Sequence, residues 1–380
     1  MTLTASVAIV GGGLAGLHAA VLLEQASFSD VVLLESRGQI GGRLLSLPAE
    51  SSAAVRGRFD RGDAWVWPGM QAELGRLLVE LGLDTFEQPE AGDLLVERRG
   101  ASAPARTRGW RSEPASMRIK GGMGALVDAA ARRLASTRRL TGHRVTRLAC
   151  RATGIDIEAV DDQGRPLALQ ASQVVQAQPP RLVAATMAFD PALPEPLQRD
   201  WANTATWMAP HAKYLAVYDE GFWRDAGLSG AASSELGPMV EIHDASAPGG
   251  DTALFGFIGV PADARALVSD ETLRGHCRAQ LVRLFGARAA APKAEWLKDW
   301  AADPDTATVA DQRTAHEHAA APAATPQAGA WCHRLFGVAS EWSPRFPGYV
   351  AGAIDAAERG VEAAVGARSG LARLGAGTSG

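Results

Sequence analysis

Residues 7–43 read VAIVGGGLAGLHAAVLLEQASFSDVVLLESRGQIGGR, and this run constrains the fold more than any other part of the chain. It opens on an apolar burst, Val7 to Val10, of the kind a buried parallel strand shows. Gly11, Gly13 and Gly16 follow in GxGxxG spacing, with an apolar-periodic helix from Leu14 through Ala15 to about Gln25. A second apolar strand, Val31 to Leu34, ends on the acid Glu35. Each part has a physical task in binding a dinucleotide. Gly11 permits a tight turn, Gly13 lets the backbone approach a pyrophosphate, and Gly16 lets helix and strand pack closely. The helix N-terminus directs free N–H groups and the positive end of its dipole at the phosphates. Glu35, about 20 residues past the last glycine, is placed to accept hydrogen bonds from a ribose. GxGxxG alone is weak evidence. Strand, helix, strand and terminal acid in register predict a nucleotide-binding βαβ unit.

The remaining bounds suit a cytoplasmic enzyme. At 380 residues the chain can bury a large core and divides into two domains. A net charge of −4 gives no electrostatic reason to expect nucleic acid or an anionic membrane surface. The first strand begins within a few residues of Met1, which leaves no room for a signal peptide. No apolar run approaches the roughly 20 residues that a membrane span requires. Cys150, Cys277 and Cys332 are few and far apart, in keeping with a reducing compartment rather than a disulfide framework or zinc site. His316 and His318 form an HxH pair without a third ligand, so no metal is expected. No nucleophile elbow supports an acyl-transfer triad. An oligomer is left open.

Past Glu35 stand Arg37 and the segment Gly41-Gly42-Arg43, whose cations can supply the positive charge that a glycine loop lacks. ExRxxxGGR after GxGxxG resembles the flavin amine oxidase family, which includes monoamine, polyamine and L-amino-acid oxidases. Phe59-Asp60-Arg61-Gly62-Asp63-Ala64-Trp65 resembles that family's next landmark, a small-residue turn against the flavin ring. Gly-Gly-Ala is common there. Here Asp63 replaces the second glycine, which counts against a backbone with φ above zero at that position.

The resemblance extends to about residue 365. It implies an α/β fold: a Rossmann-type FAD-binding domain with a β-meander, plus an α+β substrate domain with a mixed, largely antiparallel sheet. Arg118 to Leu126 resembles a turn leading into a helix. Strands are predicted around His143–Leu148, Gly154–Val160 and Gln173–Ala177, and Val145 would offer backbone contacts to the adenine. Pro179 and Pro180 end that sheet. Further strands are predicted at Lys213–Tyr218, Met239–His243, Ala253–Gly259 and Lys293–Trp300. A helix is expected over Asp270–Phe285, with Leu273, Cys277, Leu281 and Leu284 on one face. The FAD domain is drawn from 1–72, 116–188 and 326–365, and the substrate domain from 73–115 and 189–325. Residues 319–330 read as a Pro/Ala-rich connector and 366–380 as a frayed tail. The short 73–115 segment implies a more open site than that of larger members.

Lys213, before Phe222-Trp223-Arg224, matches a family lysine that holds a water against flavin N5. A buried ammonium shifts toward neutrality, and beside N5 it favours charge developing on reduced flavin. Tyr349 corresponds to one wall of an aromatic cage that orients the substrate amine. Val350 opens the final helix, whose N-terminus the family sets against the flavin's N1–C2=O edge. Glu341 ends the last strand beside the ribityl chain, and Trp300 packs near the flavin. Where monoamine oxidases place the second cage tyrosine this chain has Ala310. Where they tether flavin to cysteine it has Val309, so the FAD is expected to be non-covalent. Trp207, His211, Phe257 and Trp342 are candidates for lining the pocket.

The implied activity is amine oxidation. Hydride passes from the amine-bearing carbon to flavin N5, water hydrolyses the imine, and dioxygen reoxidises the flavin to give hydrogen peroxide. The alternatives are a desaturase or porphyrinogen-oxidase-like enzyme, an amine dehydrogenase using another acceptor, and a non-catalytic flavin-binding scaffold. A second strand-GxGxxG-helix, which an NAD(P)H-dependent flavoprotein would need, is absent from the sequence.

Overall fold

A computed structural model describes residues 3–47, 55–109, 111–313 and 320–376. Strand β1 (Leu3–Val10), helix α1 (Leu14–Gln25) and strand β2 (Val31–Leu34) fall where the sequence predicts them. Val7, Ala8 and Ile9 are fully buried because β1 lies inside a parallel sheet, between β2 and the strand Pro166–Gln176. A strand covered on both faces needs an unbroken apolar run rather than alternation. Arg138–Leu140 extends the sheet beyond β2. On the other side, His143–Arg151, Gly154–Asp161 and Pro166–Gln176 form an antiparallel meander. The third of these begins earlier than expected. Its proline is the first residue of the strand, where a missing N–H is tolerated. The far end of that strand, Val174–Gln176, pairs in parallel with Leu335–Gly337 and so carries the C-terminal segment back to the nucleotide fold.

The apolar period of α1 does not make it amphipathic. Only Leu22, Glu24 and Gln25 escape burial, because the helix is held between the parallel sheet and the closing helix Val350–Ala376. That closing helix continues through most of the stretch expected to fray, and 377–380 lie outside the described residues. The contact between α1 and β1 is very close. A Cβ on Gly16 would lie 2.0 Å from the Gly11 carbonyl oxygen.

The second sheet has the order Ala294–Asp299, Ala212–Tyr218, Thr252–Ile258, Met239–Asp244, Leu228–Ser234, Asp93–Glu97, Ala105–Thr107. Its first four strands are antiparallel neighbours, and Leu228–Ser234 pairs in parallel with Asp93–Glu97. Helix Asp270–Phe285 packs its Leu273, Cys277, Leu281 and Leu284 into the core of this sheet. Ser269 caps the helix, its side chain accepting from the Thr272 N–H. Leu228–Ser234 carries no strand signature. Its Gly230 is required by packing, since a Cβ there would meet Trp223 Nε1 at 2.9 Å. The His316/His318 pair lies outside the described residues, as does residue 319 at the start of the connector. Among the described residues no helix is long and apolar enough to cross a membrane, and no group of three potential metal ligands gathers.

These glycine environments give opposite expectations for one substitution. Gly16→Ala should lower the denaturant midpoint, at a cost of about 1–3 kcal/mol, as overpacking forces α1 off β1. Gly275→Ala should raise the midpoint by about 0.5–1 kcal/mol, because nothing lies within 4 Å of its Cβ position and the helix gains propensity. Equal effects of the two substitutions would contradict the close-approach account.

Candidate active site

Two glycine turns meet at the C-terminal edge of the parallel sheet. Gly41 N–H donates to the Gly12 carbonyl at 2.8 Å, and a Cβ on Gly42 (φ 57°) would lie 3.1 Å from Gly13 Cα. No side chain caps the start of α1, which leaves its first N–H groups facing the cleft between the turns. Gly11, Gly13, Ala15, Glu35, Arg37, Gly42, Arg43, Tyr349 and Val350 all line this cleft. Gly16 works from behind, setting the distance between helix and strand. Glu35 is buried, accepting from Gly12 N–H at 2.7 Å and from Arg37 N–H at 2.9 Å.

The arginines differ from the sequence expectation. Rather than standing as phosphate-facing cations, both are paired. Arg37 donates to Asp303 at 2.7 Å and Thr306 at 3.1 Å, with Asp305 at 3.9 Å. Arg43 makes a bidentate pair with Glu341, at 2.7 and 3.0 Å, and also donates to Ser340 at 3.0 Å. Asp305 and Thr306 line the cleft as well, and sequence reasoning passed over both. Val145 does not line it. It is buried in the meander, next to a bulge that interrupts pairing before Arg147. Glu341 and Trp300 also stay outside the lining; Glu341 backs Arg43, which reaches it, and Trp300 packs behind Gly62.

The turn Gly62-Asp63-Ala64 joins this cleft to a second cavity. A Cβ on Gly62 would lie 1.9 Å from the Arg43 carbonyl oxygen, so only glycine fits. Asp63 is not among the positive-φ residues, so its side chain brings no backbone strain. Lys213, buried on the strand next to the edge of the second sheet, donates to the Gly62 carbonyl at 3.1 Å. Its ammonium lies 3.9 Å from the centre of the Phe255 ring. Burial pushes the Lys213 ammonium down to about 8; Asp60 opposes this, Arg118 reinforces it, and Asp63 opposes it. Burial raises the Asp63 carboxyl above its ordinary range, against the pull of Arg43 and Lys213. Trp300 is buried behind the turn and donates to the Arg61 carbonyl at 3.3 Å.

The second cavity measures about 800 Å³. Gly62, Asp63, Ala64 and Trp65 form part of its wall, with Trp67, Trp207, His211, Phe257, Tyr349 and Val350. Tyr349 and Val350 therefore border both spaces. Trp67 meets the Tyr349 ring edge-on, with centroids 6.3 Å apart. It was not singled out from the sequence, although its place in Trp65-Val66-Trp67 puts both tryptophans on one face of an extended segment. Trp342 does not reach the cavity. It is buried in the core beside the first sheet, against Trp201, with ring centroids 5.2 Å apart. Val309 is 75% exposed, so its position offers neither a thiol nor a wall.

The donor set suits FAD. A close-approach glycine turn, uncapped helix N–H groups and a buried carboxylate line one end of the cleft. A turn that tolerates no side chain at Gly62 lines the other.

Comparison with known proteins agrees with this arrangement. The profile described as "NAD(P)-binding Rossmann-like domain" matches residues 9–81, and that described as "Flavin containing amine oxidoreductase" matches residues 111–365. The chain is 36% identical over 106 residues to amine oxidase [flavin-containing] B of Bos taurus, covering 28% of this chain and 19% of that protein. The human enzyme of the same name is 38% identical over 100 residues, covering 26% and 18%. The matched stretch thus spans less than a fifth of these relatives' length. Among solved structures, a redesigned putrescine oxidase aligns with TM-score 0.76 at 20% identity, over 96% of this chain and 100% of the other. Cyclohexylamine oxidase from Brevibacterium oxydans aligns with TM-score 0.75 at 18% identity, over 95% and 99%. At these identities the structural likeness speaks for the fold. With a nucleotide cleft, a second cavity opening from the same turn and a family profile covering most of its length, the chain belongs to the flavin-containing amine oxidoreductase family.

Proposed function

We propose that the protein oxidises an amine with non-covalently held FAD and dioxygen, by way of an imine that water hydrolyses to an aldehyde or ketone. The observation that carries this reading is the Gly62–Ala64 turn, which walls the second cavity while its Asp63 also faces the nucleotide cleft. Bound there, FAD would supply a two-electron acceptor for hydride from the amine-bearing carbon, with dioxygen as the final oxidant and hydrogen peroxide as its product. Glu35 would hold the ribose and the start of α1 the pyrophosphate. The residues of the second cavity position the amine. Tyr349 and Trp67 present ring faces and edges that bind an alkyl or aromatic amine in a fixed orientation. Lys213, held over Phe255 and bonded to Gly62, sets a tunable proton donor behind the turn. We assign an FAD domain to 1–72, 116–188 and 326–365 and a substrate domain to 73–115 and 189–325; the second sheet, whose strands all fall in the latter, supports this, while Ala188–Asp190 of the first sheet straddles the boundary.

Two predictions test this reading. Heat or acid should release FAD from the purified protein into the supernatant. Glu35→Ala should weaken FAD binding by roughly 1.5–3 kcal/mol as charged hydrogen bonds are lost, on the order of tenfold to a hundredfold in Kd by fluorescence titration. Flavin that stays with the precipitated protein refutes non-covalent attachment, and an unchanged Kd leaves Glu35 as a loop-bracing acid only.

Lys213→Met should retain FAD yet slow either flavin reduction by amine or its reoxidation by about a hundredfold or more in stopped flow, as for loss of one preorganised donor. The same variant has a stability signature. The folded Lys213 value near 8 lies below the ordinary 10.5, so burial of the charge destabilises the fold fully below pH 8. That cost, about 3 kcal/mol, fades as pH rises from 8 to 10.5. FAD-free Lys213→Met should therefore melt above the parent at pH 7, and the gap should close near pH 10.5. Parent-like rates in both half-reactions would favour the desaturase-like alternative.

A further inference from the structure

Asp63 is an acid where the family resemblance points to glycine, and its surroundings give it a specific use. It borders both the nucleotide cleft and the second cavity. Among the described residues no hydrogen bond or ion pair reaches its carboxylate, and its electrostatic partners act through space. Those partners come from each surrounding element. Arg43 and Lys213 attract it, while Asp60 and Glu341 repel it. Arg43 is matched by Glu341 in a bidentate pair, which leaves the Lys213 ammonium, bonded only to the neutral Gly62 carbonyl, as the unmatched cation that attracts Asp63. The cavity's other ionisable groups are also engaged or peripheral. Glu241 is bonded to His243 at 2.8 Å, and Arg265 makes a bidentate pair with Asp299, both contacts at 2.7 Å. Asp263 is exposed and accepts from the Ala264 N–H. His211 and Tyr349 carry no negative charge to compete for a cation. A carboxylate taken out of water needs a counter-charge or a proton. A ligand ammonium entering this cavity would bring both.

We propose that Asp63 receives the substrate's ammonium group and takes its proton before the amine is oxidised. The inference rests on the amine-oxidising reading above. An amine of ordinary basicity enters at pH 7 as R–NH3+, with its lone pair tied up in an N–H bond. That lone pair must be free to form the C=N bond as hydride leaves the adjacent carbon. One N–H bond breaks and one O–H bond forms, R–NH3+ and Asp63–COO− becoming R–NH2 and Asp63–COOH, with no change in oxidation state. Burial favours this step because it exchanges two charges for none in a space walled by Trp65, Trp67, Phe257 and Tyr349. The raised proton affinity of the Asp63 carboxyl acts in the same direction.

The test is titration calorimetry of the FAD-loaded protein with cumylamine, whose amine-bearing carbon has no hydrogen and so cannot be oxidised. Runs at pH 7 in buffers of different ionisation enthalpy count the protons released per amine bound. The parent protein should release almost none, since the proton moves to Asp63. Asp63→Asn should bind at least tenfold more weakly and release about one proton, because only the neutral amine then fits. Cumyl alcohol, the uncharged isostere, should bind both proteins alike. Asp63→Gly repeats the measurement should the asparagine variant lose its FAD, with the same expectation. Equal proton counts in parent and variants overturn the proposal, as does the absence of cumylamine binding to the parent. If the counts differ yet no amine reduces the flavin, Asp63 stands as an ammonium site and the oxidase reading falls. If amines are oxidised and the counts match, the reverse holds.

Discussion

A side chain at Gly62 would place its first carbon 1.9 Å from the Arg43 carbonyl oxygen and 3.2 Å from the Trp300 ring. That close approach joins three parts of the chain that are distant in sequence. Arg43 belongs to the second glycine turn of the nucleotide fold, Trp300 follows the edge strand of the second sheet, and Lys213 on the neighbouring strand bonds the Gly62 carbonyl. A backbone packed against a carbonyl and a buried ring and hydrogen-bonded to a buried lysine is held from three sides, which fixes the wall between cleft and cavity. Asp63 inherits that rigidity. Its carboxylate stands at the junction because its neighbours leave the turn no other course.

Charge in the cleft is arranged differently from a simple anion site. Both arginines that could meet a pyrophosphate spend their charge on carboxylates, Arg37 on Asp303 and Arg43 on Glu341. On the function proposed above, the uncapped helix start, where N–H groups and dipole act at fixed positions, would carry the phosphates. The arginines serve instead to tie segments together. Asp303 also takes the Lys298 ammonium, and Asp305 takes Arg144 of the meander at 2.6 Å. A loop that follows the second sheet is thereby pinned to the nucleotide fold by partly buried ion pairs. Breaking one partner leaves an uncompensated charge, which costs more than the pair contributes when whole.

The parts legible in the sequence are those whose requirements are local. Gly11 reports a backbone conformation (φ 110°) and Gly16 a close approach to the Gly11 carbonyl, and both needs arise within the one βαβ unit. The helix Asp270–Phe285 was readable to its ends because a capping serine and an apolar face declare it. The strand Leu228–Ser234 was not. Its sequence, LSGAASS, has one large apolar residue, and its place depends on Trp223 and Asp244 closing over Gly230. The pairing of Arg37 was equally hidden, since Asp303 lies 266 residues away with no spacing rule to connect them. Trp342 misled for the opposite reason. An aromatic residue beside a site motif looks like a pocket wall, but this one fills the core against Trp201.

Asp63 and Lys213 are bound together by more than proximity to one turn. Each disfavours its own charge through burial, and each partly restores the other's by attraction across the turn. Protons on two such groups leave in steps that belong to the pair. Below pH 8 the Lys213 cation helps keep Asp63 ionised, which is the state that can receive an ammonium. Above that value Lys213 turns neutral, Asp63 loses an attractive partner, and its hold on a proton tightens. The lysine thus sets how readily the acid gives back what it has taken. The lysine and the acid titrate as one unit, and substituting either should alter the pH response of the other.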